Sequence, residues 1–217
     1  TNGVGLSVVV FFPLISAFII TLIPKAQEQL IKGFALVSSL ITFVLSAVLL
    51  FQFDFSSADK LQLGNKISWI KSINANYEIG IDGISLPLLV LSTFITVLAI
   101  IYSIEHLPEP KSPKGFLALI LVLETGMNGT FVALDLILFF VFFEIVLLPM
   151  YFMIGIWGDK TVRTVSGFKN QIETRLYASI KFFVFTLFGS AFMLLGFLGL
   201  YYRGNKTFSI PELIELG

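Results

Sequence analysis

Cysteine is absent from these 217 residues, histidine occurs once, and only 13% of side chains are charged, against about 25% in an average globular chain. Without cysteine the chain can ligate no iron–sulfur cluster or thiolate zinc site, and it can form no disulfide. One histidine argues against haem or a His-rich metal site. Fourteen basic and fourteen acidic residues cancel, which leaves no field to draw in nucleic acid, and no glycine-rich phosphate loop is present. What the chain has in excess is apolar. Hydrophobic residues make up 56% of it, 24 residues are phenylalanine, and mean hydropathy is +0.93. A soluble fold of this length could not hide so much apolar surface. The composition implies an integral membrane protein with no redox centre of its own.

Six stretches, 6–23, 34–53, 84–104, 116–134, 136–157 and 176–202, are long and apolar enough to cross a bilayer, which takes about 20 residues. None alternates at period two, as a membrane β-barrel requires. Helices satisfy every backbone group inside lipid. The expected fold is therefore all-α: a single membrane domain of about six transmembrane helices in contact with the lipid bilayer. No Lys or Arg precedes the first span, which reads as a membrane helix and not a cleaved leader. Eight Lys and Arg flank the loops on one side and five lie on the other. The positive-inside rule places the eight in the cytoplasm and the N-terminus outside. The expected location is a bacterial plasma membrane.

The outer 54–83 loop is too long for a turn. Leu61 and Leu63 alternate with Gln62, and Ile67 and Trp69 with Ser68, around Gly64-Asn65. That pattern predicts a short β-hairpin on the membrane surface. In the 203–217 tail, Ser209 and Glu212 have capping-box spacing with Pro211 in the first turn, which predicts a short helix. Phe208, Leu213, Ile214 and Leu216 would give it a lipid-facing side. The alternative for the tail is the solvated start of a further segment.

Three charged residues fall inside the spans: Glu124, Glu144 and Lys181. A charge at the centre of a lipid-embedded helix costs about 2.5–3.5 kcal/mol on insertion scales, so such residues face the bundle interior, water or one another. Glu144 lies 13 residues before Trp157, about 20 Å along a helix, too deep for its short side chain to reach water. Desolvation favours the neutral carboxyl and a nearby cation the ionised one. A carboxyl balanced between the two gains and loses a proton near neutral pH, as a proton relay requires; the alternative is a permanently neutral Glu144 bonded to a neighbouring helix. Pro149 frees the Ile145 carbonyl one turn away, either to hold water or simply to kink the helix for packing. Lys181, about 7.5 Å into its span, either snorkels or points inward to take part in proton transfer. Glu124 precedes Thr125, Gly126 and Asn128, residues that let helices approach and line wet cavities; it is a further candidate for the relay. Asp135 suits an N-cap for the fifth helix. His106, near neutral in its unperturbed titration, is a candidate for lateral proton uptake at the surface, and otherwise an interface residue.

Three segments together resemble a known family. They are Ile81-Asp-Gly-Ile-Ser-Leu-Pro87; Leu136-Ile-Leu-Phe-Phe-Val-Phe-Phe-Glu144 continuing through Pro149 to Trp157-Gly158; and Arg175-Leu-Tyr-Ala-Ser-Ile-Lys181 through Ser190. The combination resembles the antiporter-like membrane subunits of respiratory complex I (proton-translocating NADH:quinone oxidoreductase), and among them the subunit M family. The resemblance covers nearly the whole chain but only the first part of the family's inverted-repeat fold. It implies a proton-pumping subunit among other membrane-arm subunits. NAD, FMN, iron–sulfur clusters and quinone would be bound by partner subunits, with no cofactor in this chain. The family's essential glutamate maps onto Glu144 and its sixth-helix lysine onto Lys181, while the lysine that pairs with the glutamate is implied on a later helix. Glu124 has no secure family counterpart. Other readings are a subunit of an Mrp-type sodium/proton antiporter, a part of a ferredoxin- or hydrogenase-linked relative, and a membrane anchor that moves no protons.

Overall fold

A computed structural model describes residues 3–163 and 172–216. Lys169, counted among the cytoplasmic charges, lies outside them. The long helices are α1 (Gly3–Leu22), α2 (Glu28–Gln52), α3 (Ser85–Glu105), α4 (Pro113–Val132), α5 (Leu136–Trp157) and α6 (Thr174–Arg203). All six are long and apolar enough to cross a membrane, and the chain is a multi-pass integral membrane protein. Each of the six helices falls on one of the apolar stretches. The main changes are at the starts of α2 and α4, where Glu28 and Pro113 open the helices ahead of the apolar runs.

The surface hairpin is present, with its turn elsewhere. β1 (Gln62–Ile70) pairs antiparallel with β2 (Ala75–Ile81), and the chain reverses at 71–74. Gly64-Asn65 is an irregularity inside β1, next to a register shift and to Leu63 at φ 53°. The reversal ends on Asn74 at φ 54°, a left-handed conformation that asparagine tolerates better than most residues.

The junction between α4 and α5 is held by backbone pairing and one carboxylate. The Leu134 N–H donates to the Glu78 carbonyl at 2.8 Å, the Leu136 N–H to Phe208 at 2.9 Å, and the Ile210 N–H to Leu134 at 2.8 Å. The 133–135 segment therefore lies between β2 and the tail, bridging Ile79 on one side and Ser209 on the other. Asp135 is fully buried within this arrangement. One carboxylate oxygen accepts from the Ile137 and Leu138 N–H groups at 2.9 and 3.1 Å, which is the expected N-cap. The other accepts from the Asn76 N–H of β2 at 2.9 Å.

The tail helix α7 (Ile210–Glu215) forms without the capping box. Glu212 turns away from it, because Lys66 of β1 donates to it at 2.7 Å and the Thr207 hydroxyl at 2.5 Å. Lys66 also pairs with Glu78 at 3.2 Å. Phe208 and Leu213 do not face lipid: Phe208 is buried, stacked on Tyr201 with ring centroids 4.4 Å apart, and Leu213 packs on the same cluster. Ile214 and Leu216 are exposed as expected.

The interior of α1–α4 is layered. On the hairpin side, Leu6, Val9 and Val10 of α1 pack with Leu49, Leu86, Leu89 and Val132. On the far side, Ala17 and Ile20 pack with Ile31, Ala35, Ile100, Leu117 and Leu121. Between these apolar clusters each helix contributes buried polar side chains: Ser16 from α1, Ser39, Thr42 and Ser46 from α2, Thr93 and Thr96 from α3, and Glu124, Thr125 and Asn128 from α4. Ser46 and Thr93 share a hydrogen bond of 2.7 Å between α2 and α3.

Two measurements follow from the hairpin side. Asp135→Ala leaves three N–H groups, two of them buried, without their acceptor and is expected to cost about 2 kcal/mol or more in thermal unfolding. Asp135→Asn keeps an oxygen for the two α5 donors and is expected to cost less. The Lys66 and Thr207 hydrogen bonds hold Glu212 below its ordinary value of 4.5. Its stabilising contribution, present above 4.5, is therefore lost as pH falls through the lower folded value. The pair is exposed, so the contribution is below about 1 kcal/mol. Protection of the 207–213 amides from hydrogen exchange, taken relative to the intrinsic exchange rate at each pH, is expected to fall on acidification, and to be pH-insensitive over that range in Glu212→Gln.

Candidate functional site

α4 and α5 form a close antiparallel pair. A Cβ on Gly129 would fall 2.1 Å from the Phe142 ring, and one on Gly126 would fall 2.7 Å from Val146. Only glycine admits so near an approach at these positions. The pair is symmetric about Leu134: Glu124 lies ten residues before it and Glu144 ten residues after. The two acids consequently stand level, each eight residues, or about 12 Å, from the hairpin-side end of its helix.

They face opposite ways. Phe142 and Val146 point at α4, so Glu144, two residues from each, points away from it. Glu144 shares its stripe with Tyr151 and Gly155, seven and eleven residues on. Tyr151 packs on Phe183 of α6 at 5.3 Å between ring centroids, and a Cβ on Gly155 would sit 3.5 Å from that of Ser179. Glu144 is thus carried to the edge of the α5–α6 seam. It is half-buried, and its Oε1 is buried with no hydrogen-bond partner. Pro149 is buried within the continuous helix α5. It follows Phe142 by seven residues, which places it on the α4 side, away from Glu144.

Lys181 does not meet Glu144. Ser179 and Phe183 occupy the α5-facing side of α6, and Lys181 between them lies on the opposite, exposed side. Its Nζ stands 5.5 Å from the Tyr177 ring centroid and 5.9 Å from that of Phe185, a cation–π clamp one turn to either side. Glu124 is fully buried, with both carboxyl oxygens lacking a hydrogen-bond partner, as do both amide atoms of Asn128 one turn on. His106 caps the end of α3 on the side away from the hairpin, exposed and stacked on Tyr102 at 4.5 Å. No group of three or more metal-ligating side chains occurs among the described residues. Sequence reasoning passed over Tyr151 and the hydroxyls of α2 and α3. Their signals were the seven-residue spacing from Glu144 and the three- and four-residue spacing of Ser39, Thr42 and Ser46.

In fold this is an antiporter-like membrane subunit. A chain of the solved respiratory complex I from Thermus thermophilus superposes with a TM-score of 0.76 at 22% identity, over 97% of this chain and 39% of that one. A chain of the Mrp complex from a Dietzia species does so with a TM-score of 0.71 at 17% identity, over 98% of this chain and 20% of that one. Residues 8–130 match the family model for the amino terminus of NADH-ubiquinone oxidoreductase chain 4, and residues 133–216 match the transmembrane model shared by NADH:quinone oxidoreductase and Mrp antiporters. The chain belongs to the NADH-ubiquinone oxidoreductase chain 4 family. It is 36% identical to F(420)H(2) dehydrogenase subunit M of Methanosarcina mazei, 33% to NADH-quinone oxidoreductase subunit M of Rickettsia prowazekii, and 38% to NADH-ubiquinone oxidoreductase chain 4 of Mycosarcoma maydis. These matches cover 96–97% of this chain and 39–41% of the relatives' own length.

The facing of α5 and α6 can be tested by cross-linking, which the absence of native cysteine makes clean. The Cβ separation at positions 155 and 179 lies within disulfide range, about 3.5–4.5 Å. Gly155→Cys with Ser179→Cys is expected to form a disulfide under mild oxidation. Gly155→Cys with Lys181→Cys is expected to remain reduced, as read by thiol labelling.

Proposed function

We propose that this chain forms the first part of a proton-translocating membrane-arm subunit of NADH:quinone oxidoreductase, and that Glu144 is the group that takes up and releases the proton. The observation that carries the reading is the setting of Glu144 within a chain of this family. A carboxyl at mid-depth, its inner oxygen unpartnered, stands at the edge of a helix seam and not sealed inside one. Such a group exchanges a proton with water or a neighbouring side chain without unpacking the bundle, which is what a relay asks of an intramembrane acid. Lys181, held by aromatic rings on the other side of α6, is the next proton carrier. It would be reached around that helix or through a neighbour packed against it.

Quinone reduction in partner subunits supplies the driving force in this reading, and NAD, FMN, iron–sulfur clusters and quinone are bound there. The lack of cysteine supports the division of labour, since this chain has no thiolates for a cluster. The Methanosarcina relative is named for F420H2 and the Rickettsia relative for NADH, so the donor is set by other subunits. The excess of Lys and Arg on the face away from the hairpin supports a cytoplasmic placement for that face, with the N-terminus outside a bacterial plasma membrane.

The deciding experiment is Glu144→Gln in the assembled complex. Proton pumping is expected to fall by more than roughly tenfold with assembly intact, and Glu144→Asp to retain part of it. Normal pumping in Glu144→Gln would make the chain a membrane anchor. Activity that follows sodium in place of protons would move it to the antiporter reading.

A further inference from the structure

We propose a second proton-binding site in the membrane interior, separate from Glu144: Glu124 carried as the neutral acid, sharing bound water with the amide of Asn128. The inference goes beyond the relay reading and does not depend on it. Four buried polar atoms, two on each side chain, have no protein hydrogen-bond partner. The side chains are four residues apart on α4 and share one face of it. That face continues from Leu117 and Leu121, in the far-side apolar cluster, to Val132 in the hairpin-side one. Glu124 and Asn128 therefore fall in the polar layer between the clusters.

The chemistry of that layer decides what the acid must carry. Thr125 donates its hydroxyl hydrogen to Leu121 of its own helix at 3.1 Å, Thr42 to Ser38 at 3.1 Å and Thr96 to Ser92 at 3.0 Å. Hydroxyls whose hydrogens are committed in this way offer lone pairs to the interior, not donors. An ionised carboxylate would get no hydrogen from these hydroxyls and, with the Asn128 amide beside it on α4, still no counter-charge, which is the costly form of a buried charge. A carboxylic acid and water supply the missing hydrogens and satisfy the amide as well.

Nor does any element packed on α4 bring a cation to this level. Among the described residues, α1 has no charged side chain, α2 has Glu28 and Lys32 in its first turns, and α3 has Glu105 at its last residue. β2 has Glu78 at the hairpin end, and α5 has Glu144 on its other side. Lys114 of α4 itself lies ten residues away and donates to the Ile23 carbonyl at 2.7 Å.

Infrared difference spectroscopy at neutral pH, on the protein purified from its native membrane with its neighbouring subunits, tests the site. Glu124→Gln is expected to remove one protonated-carboxyl stretching band that shifts in D2O and persists in sodium. Asn128→Leu is expected to move that band without removing it. A difference confined to carboxylate bands would overturn the proposal, as would a band that sodium abolishes, since the site would then hold a metal cation. A band indifferent to both D2O and Asn128→Leu would equally overturn it, leaving a dry acid. If Glu124→Gln does not assemble, the Asn128→Leu and D2O spectra decide alone. The Glu144→Gln protein must keep the band whether or not it pumps, which separates this outcome from that of the relay.

Discussion

Everything that positions chemistry in this molecule depends on the near contact of α4 and α5. Two glycines let the Phe142 ring and Val146 lie almost on the α4 backbone. The turn joining the helices is only three residues long and is bonded on both edges. In a bilayer no hydrophobic force drives helices together, so small residues and satisfied polar groups must do it. Asp135 serves that second purpose: it closes the first turn of α5 and ties it to β2 with one carboxylate. With the pair locked and its turn short, two acids ten residues either side of Leu134 are forced to the same depth.

Level placement with opposite facing gives the two acids different environments at one height. Glu124 looks into a bundle closed by apolar clusters above and below. Glu144 looks to the side, where α6 packs along that stripe at Tyr151 and Gly155. The first setting is enclosed and the second lies at a seam's edge. The difference comes from helical phase: Glu144 lies about 200° from Phe142, half a turn away from the α4 interface.

Much of this was legible in the sequence. The six spans follow from length and hydropathy alone, and the buried charges stand out because lipid makes each one expensive. The N-cap at Asp135 was readable because the chemistry is local. The misplaced features depend on distant partners. Gly64-Asn65 has turn chemistry, but Gly64 packs against Ile79 and Gly80 across the strands, and the reversal falls to Asn74. The Ser209–Glu212 capping box lost to Lys66, a partner nearly 150 residues away in sequence. Phe208 was drawn from the lipid by Tyr201 and Leu136. Side-chain facing was the least legible property: Lys181 and Ser179 differ by two residues and lie on opposite sides of one helix.

α6 shows how far facing matters. Its 30 residues span about 45 Å, against a hydrocarbon layer of about 30 Å, so it tilts or projects. Among the long helices it is the least covered, and its buried residues are two serines, 179 and 190, on the α5 side. The remaining surface is mostly phenylalanine and leucine, interrupted by Lys181 about 10 Å from the helix start. Against lipid that amine must run along its stem toward the interface. Against another helix it stays level with the rings that hold it. What packs on the outer face of α6 thus decides where that amine sits.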